Sequence, residues 1–305
     1  MSDSSPPLLV TGATGFIGQH VMANAGARAV ALSLRAGDPV SDRLDRALAG
    51  RPGAAVIHLA GRAHASDPVA PETYRHDNRD LPLALAKAAL ARGVNRFVFV
   101  STIAVHGASS GAGAFHAGDR PNPQSAYARA KLEAEEALTG LVDQGLELVI
   151  VRPPLVYGAG AKANLARLAD AVARGLPLPL GAVRNRRSLV NAKDLADLLL
   201  LAASHPQAPG GIFLPADRTP VSTAELIRAL GEALGKPARL LPIPVALLRL
   251  AGRLTRQTRT IGQLVDSLEV APSPAIERLA WVPRRGLAEG LAAFAAARRG
   301  TVRTE

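Results

Sequence analysis

The chain has 305 residues, 48% hydrophobic and 20% charged, enough apolar material for a sizeable core, which excludes an intrinsically disordered protein. It has no cysteine, which excludes disulfides, cysteine-ligated zinc and thiolate catalysis and suits a reducing cytoplasm. The net charge is +11, but the basic residues are spread along the chain and aromatic residues make up only 3%, so no nucleic-acid partner is expected.

The opening Met1-Ser2-Asp3-Ser4-Ser5 lacks a basic stretch, which predicts no signal peptide. No apolar run reaches the roughly 18 residues of a membrane span, so no stable membrane insertion is expected. Leu8-Leu9-Val10 predicts a buried first strand, followed by a helix over Phe16–Ala25. Further strands are predicted over 29–34 and 54–59, the latter running into Leu59-Ala60-Gly61. An alanine-rich helix over 81–92 is closed by Gly93, and a strand of β-formers spans Arg96–Val100. After a Gly- and Pro-rich loop over 107–124 come a helix over 127–138 and a strand over 146–151. Continuous apolar strands alternating with helices predict an α/β fold: a parallel sheet covered on both faces.

The second half is less regular. Helices are predicted over 162–174, 194–203, Val245–Leu254 and 287–298. Ser222-Thr223-Ala224-Glu225 reads as a capping box that opens a further helix ending near Leu234. Leu176-Pro177-Leu178-Pro179-Leu180 breaks the pattern, and no internal repeat is present. The predicted division is a dinucleotide-binding domain over 1–157, with a later contribution near 188–203, and a smaller, mainly helical substrate part over 158–305.

Two motifs carry chemistry. Thr11-Gly12-Ala13-Thr14-Gly15-Phe16-Ile17-Gly18 lies between the first strand and the first helix. There one glycine allows a tight turn, one lets the backbone approach a pyrophosphate, and one lets helix and strand pack closely. The helix N-terminus adds free N–H groups and a partial positive charge. Tyr127-Ala128-Arg129-Ala130-Lys131 places a phenol and an ammonium on one helical face. A nearby cation favours a phenolate, so Tyr127 is expected to have a lowered pKa and to serve as acid and base.

On these motifs and their order the chain resembles the extended short-chain dehydrogenases, in the epimerase/dehydratase branch of nucleotide-sugar enzymes. The resemblance implies a Rossmann-type doubly wound sheet. It also implies NAD or NADP held by Gly12, Thr14, Gly15, Phe16, Ile17, Gly18, Leu59, Ala60, Gly61, Asn78, Tyr127, Lys131 and Pro154. Ser33 stands where an acidic residue normally holds the adenosine ribose, and Arg35 follows. NADP is therefore expected to be accepted, even preferred, through Arg35.

In the same resemblance the segment Phe97–Gly107 carries the catalytic hydroxyl, and by register Thr102, just after Ser101, takes that role beside Tyr127 and Lys131. His106 replaces a commoner tyrosine. Dehydratases of the group place an Asp-Glu pair after the threonine. Here Ile103-Ala104 follow, and neither transfers a proton, which excludes dehydration. Arg152-Pro153-Pro154-Leu155-Val156-Tyr157-Gly158 is similar to the motif after the sixth strand. Asn164 is expected at the diphosphate or uracil of the substrate, and Arg187 at its pyrophosphate.

The implied activity is hydride transfer at C4 of a nucleotide-activated hexose, by a UDP-sugar 4-epimerase or 4-keto-reductase of polysaccharide biosynthesis, with UDP-N-acetylhexosamines as the sugar type. A homodimer is implied, through the helices over 81–92 and 127–138. The rival is a non-catalytic dinucleotide-binding sensor on the same fold. No metal is expected, because the seven histidines show no metal-ligand spacing. His58 and His64 read as packing or loop residues. The basic amphipathic helix over Val245–Leu254 suits either contact with an anionic membrane surface or, more commonly, packing on its own domain.

Overall fold

Leu8–Thr11 form β1, and all four residues are buried. The strand lies inside a parallel sheet in a computed structural model, which describes residues 6–34, 39–63, 69–271 and 274–302. Helix α1 (Phe16–Ala25) returns the chain to β2 (Ala29–Leu32), and α2 (Val40–Leu48) leads to β3 (Ala55–His58). Helix α3 (Pro71–Arg75) runs through a π-helical turn at His76–Asp80 into α4 (Leu81–Leu90). Then follow β4 (Arg96–Val100), α5 (Ala126–Thr139) and β5 (Glu147–Val151).

The chain next leaves the main sheet. Strand β6 (Leu155–Tyr157), helix α6 (Asn164–Ala173) and strand β7 (Leu189–Asn191) come in turn, and β6 and β7 pair parallel as a separate two-stranded sheet. Helix α7 (Ala192–Ser204) returns to the main sheet, where β8 (Ile212–Phe213) joins its edge. Helices α8 (Thr223–Leu234), α9 (Val245–Leu254), α10 (Thr258–Val265), α11 (Pro274–Arg278) and α12 (Leu287–Val302) complete the chain.

The main sheet has the order β2-β1-β3-β4-β5-β8, and every pair in it is parallel. Chain order reverses at β1: β2 lies on one side and β3 on the other, as in doubly wound folds that place ligands beyond the strand ends at this point. Alternate residues point to opposite faces. On one face Leu8, Val10, Ile57, Val98 and Val149 pack with Val21 of α1 and with Leu195, Leu198 and Leu199 of α7. On the other, Leu9, Val56, Phe97, Phe99 and Leu148 pack with Leu44, Leu85, Ala134 and Leu138 of α2, α4 and α5. The expected α/β architecture, with helices on both faces, is what forms.

The small sheet is covered by Leu165, Leu226, Leu230, Leu291 and Phe294 of α6, α8 and α12. A further cluster joins Val172, Ile227, Leu248 and Val265, tying α9 and α10 to the same half. The capping box at Ser222 and Glu225 is present, with both reciprocal hydrogen bonds. Among the described residues no helix is long and apolar enough to cross a membrane, and no group of acidic residues and histidines is arranged to hold a metal ion.

Candidate active site

The glycine turn follows directly from β1. Gly12 has φ +67°, in the left-handed region that favours glycine. A Cβ there would stand 2.8 Å from both the amide nitrogen of Ala60 and the carbonyl carbon of Leu59. Gly15 donates its N–H to the carbonyl of Gly12 at 2.9 Å and precedes α1 without capping it by a side chain. A Cβ on Gly18 would collide with the Gly12 carbonyl. The turn is therefore a cradle that side chains would fill. The first N–H groups of α1 meet no acidic side chain in that turn.

The end of β3 is fastened to this turn by Thr11. Its hydroxyl oxygen accepts from the amides of Leu59 and Ala60, each at 3.2 Å, and lies 3.0 Å from Nδ1 of His58. With two amides already donating to it, the hydroxyl gives its own proton to Nδ1, so His58 carries its hydrogen on Nε2. That nitrogen is buried without a partner. The ring stacks against Phe97 and Phe99. Burial, and then the charge of Lys131, pull the His58 pKa down to about 3, so the imidazole is neutral. His58 is thus a packing residue at the site's floor. His64 and Arg35 lie outside the described residues.

Ser125 caps α5 by accepting from the amide of Ala128 at 3.1 Å. That fixes the first turn, on which Tyr127 stands, and Lys131 follows one turn later. Thr102 emerges from β4 and caps the short turn Ile103–Val105, its hydroxyl accepting from the Ala104 amide at 3.2 Å. The Tyr127 phenol lies near this hydroxyl, whose influence favours the deprotonated phenol. Lys131 is 4% exposed, donates to the carbonyl of Val100 at 2.9 Å and stands 4.6 Å above the ring of Phe99.

These surroundings reverse one expectation. The Tyr127 pKa is not lowered: burial pushes it up to about 12, against the opposing influence of Thr102. Lys131 is turned towards Val100 and Phe99. Burial pulls its own pKa down to about 8, with Glu135 acting the other way. In the protein alone Tyr127 is therefore a protonated phenol at neutral pH.

Asn78 is fully buried on the π-helical turn. It donates to the carbonyls of Tyr74 and Arg62 at 2.9 and 3.2 Å, and its oxygen accepts from the Arg62 amide at 3.1 Å. A Cβ on Gly61 would stand 2.5 Å from that oxygen and 3.4 Å from Nζ of Lys131. The glycine thus leaves room for Asn78 and Lys131 to converge. His106 does not line the cleft. Its Nε2 accepts from Arg152 at 2.9 Å, its ring stacks on Phe115, and burial followed by the Arg152 charge pulls its pKa down to about 4.

A cleft of about 810 Å³ gathers these groups. Thr102, Tyr127 and Lys131 line it together with Gly12, Gly15, Phe16, Ile17, Gly18, Leu59, Gly61, Asn78, Pro154 and Asn164. Thr14 is exposed on the turn, with its carbonyl accepting from Gln19 at 3.3 Å. Ala60 contributes through its amide N–H, which donates to the Thr11 hydroxyl. Arg187 lies elsewhere: its guanidinium donates to the carbonyls of Gln263 and Asp266 at 2.9 and 3.2 Å, and burial lowers its pKa. Asn185 likewise donates to the carbonyls of Leu264 and Asp266. This segment holds α10.

Helix α10 in turn brings Arg259 and Gln263 to the cleft, which sequence reasoning missed. Their signal is the spacing of four residues in a short helix whose apolar positions, Ile261, Leu264 and Val265, fall on one face. Lys162 and Asn164 line the cleft on either side of Ala163, which has φ +54°, a strained conformation for a residue other than glycine.

Comparison with known proteins bears on the same region. The model of the NAD dependent epimerase/dehydratase family matches residues 8–214. A UDP-glucose 4-epimerase of Vibrio cholerae is 37% identical, over 93% of this chain and 92% of that protein. The crystal structure of UDP-N-acetylglucosamine 4-epimerase from Bacillus cereus superposes with a TM-score of 0.78 at 22% identity, over 97% of this chain and all of that one (100%). The structure of RMD from Pseudomonas aeruginosa complexed with NADPH gives 0.75 at 24% identity, over 97% of this chain and 100% of that one. The glycine cradle, the cleft and the matched span agree: the chain is an enzyme of the NAD dependent epimerase/dehydratase family.

Proposed function

We propose that the chain transfers hydride at C4 of a nucleotide-activated hexose, as a UDP-sugar 4-epimerase or 4-keto-reductase of polysaccharide biosynthesis, with UDP-N-acetylhexosamines as its sugar type. The carrying observation is that Thr102, Tyr127 and Lys131 line the same cleft as the glycine turn. Gly12, Gly15, Gly18 and the N-terminus of α1 would hold a dinucleotide pyrophosphate, and Gly61, Asn78, Lys131 and Pro154 would border its other half. When bound, NAD(P) supplies hydride exchange at a carbon. Everything else falls to the protein.

Tyr127 gives a proton to, or takes one from, the oxygen on C4. Thr102 holds that oxygen and the phenol in line. Lys131, with its charge buried, favours the deprotonated phenol once Tyr127 has acted as donor. Ile103 and Ala104 line the cleft and offer no second proton, consistent with chemistry that eliminates no water. Asn164 and Arg259 stand where a substrate diphosphate needs donors and positive charge. In this reading residues 1–157 and 188–203 serve the cofactor, 158–305 serve the sugar nucleotide, and Arg187 acts through α10. A cytoplasmic homodimer completes the reading.

A neutral Tyr127 can open a net reduction by giving its proton to the C4 oxygen, the reaction that an exchangeable NADPH suits. The end of β2 agrees, since Arg43 of α2 donates to the carbonyl of Ser33 at 3.0 Å. A guanidinium in that place suits a 2′-phosphate, which supports NADPH. A Kd for NADH clearly below that for NADPH refutes this part.

The test of the activity uses dialysed protein with UDP-N-acetylglucosamine, with UDP-glucose and with a UDP-4-keto-hexose. Formation of a 4-epimer without added cofactor identifies the epimerase. Consumption of the keto sugar only with NADPH or NADH identifies the reductase. Tight dinucleotide binding with neither reaction returns the chain to the sensor class.

A further inference from the structure

Helix α9 carries two apolar stripes. Leu248 and Gly252 are buried against the core, where a Cβ on Gly252 would stand 2.9 Å from Ile261. Leu247, Leu250 and Leu254 follow at spacings of three and four, which aligns them on one face. At 100° per residue that face lies nearly opposite the buried one. These leucines are 54%, 51% and 78% exposed, and Leu241 just before the helix is also exposed.

Charge surrounds the stripe. From residue 233 to 265 the chain has Lys236, Arg239, Arg249, Arg253, Arg256 and Arg259, and no acidic residue. Arg249 pairs with Asp266 at 2.7 Å. Arg253, Arg256 and Arg259 have no carboxylate partner among the described residues. The exposed leucines are thus flanked by uncompensated positive charge.

We propose that α9 docks reversibly on the surface of an anionic phospholipid bilayer, lying in the interface with its leucines in the acyl boundary and its arginines among the lipid phosphates. The pairing of an apolar line with guanidinium groups fits this occupant. A second copy of the chain would press two positive faces together, and like charges oppose that contact. Contact by α9 holds the cleft beside the membrane, because α10 packs against α9 and carries Arg259 and Gln263 into the cleft.

The full chain is sedimented with vesicles of phosphatidylcholine alone and of phosphatidylcholine mixed with phosphatidylglycerol. The expected result is partitioning onto the mixed vesicles only, weakened by salt. L247S/L250S/L254S and R253E/R256E each lower the partition coefficient by about tenfold or more. Both keep the wild-type melting temperature and cofactor affinity. The charge-reversal pair keeps the test decisive should the leucine variant fold poorly. Wild-type protein that stays in solution with the mixed vesicles overturns the proposal. So does a folded leucine variant that partitions like the wild type, or one that turns a dimer into a monomer, which assigns the stripe to a second copy.

Discussion

Arg152, just after β5, directs Nε and Nη2 at the carboxylate of Glu135 in α5, with Nε 3.1 Å from Oε1. Both side chains are buried. Glu135 lies one turn beyond Lys131, so the pair sets α5 against the sheet. Nη1 of the same guanidinium reaches His106, on the loop that presents Thr102. One arginine thus ties the helix of Tyr127 to the loop of its hydroxyl partner. Removing one member leaves a buried charge unpaired, so Glu135→Gln is expected to cost about 3–5 kcal/mol. The double variant E135L/R152M recovers most of that. Urea denaturation of the three proteins checks it, and a single variant as stable as the wild type refutes it.

Tyr127→Phe removes only the phenolic oxygen. Dinucleotide affinity stays within a few-fold of the wild type, while turnover falls about 10²–10⁴-fold, the range for a positioned acid or base. Fluorescence titration and steady-state rates separate the two effects. Near-normal turnover in this variant removes Tyr127 from the chemistry.

Gly18→Ala puts a methyl group into the Gly12 carbonyl, which belongs to the turn itself and has no side chain to move aside. The helix must shift, at a cost of about 1–3 kcal/mol, and the amides of its first turn move with it. We expect a lower melting temperature together with at least tenfold weaker dinucleotide binding. A variant that binds normally shows that the turn does not hold the cofactor.

His58 makes stability depend on pH. Above its ordinary pKa of 6.5 the imidazole is neutral whether the chain is folded or not. Below it the unfolded chain takes up a proton, and the folded chain does not until about pH 3. Stability is therefore complete above pH 6.5 and is lost as pH falls towards 3, by up to about 1.4 kcal/mol per pH unit. His106, held down to about 4, adds a slope of the same sign. His58→Phe, between two phenylalanines, is expected to flatten the loss between pH 7 and pH 5 without abolishing it. Equal urea-midpoint shifts in variant and wild type refute the assignment.

What the sequence showed and what it hid have physical causes. Strand β4 and helix α1 were legible to the residue because an apolar run or a strong start signal bounded each. Helix α2 does carry an apolar period, with Val40, Leu44, Ala47 and Leu48 at helical spacing, but it is only nine residues long and opens at Pro39 without a side-chain cap, so no start signal marks it. Strands β6, β7 and β8 have three, three and two residues, too short for alternation to appear. At the site, the spacing of Tyr127 and Lys131 was readable from helical geometry. The rise of the Tyr127 pKa was not, because it depends on burial by residues distant in sequence. Arg259 reaches the cleft from α10, which is held by α9 and, across about 80 residues of sequence, by Asn185 and Arg187.

Helix α7 lies beside α1, clasped by Asn24 to Asp197 at 2.7 Å, although the small sheet and α6 intervene in the chain. While the protein is being made, β1 to β5 therefore leave the ribosome with the stripe of Leu8, Ile57, Val98 and Val149 only partly roofed. From the end of β5 to the end of α7 is about fifty residues of further synthesis, on the order of 3–10 s at ordinary elongation rates. Through that interval α1 alone covers this face of the sheet, and the apolar positions that α7 will cover stay open to other chains.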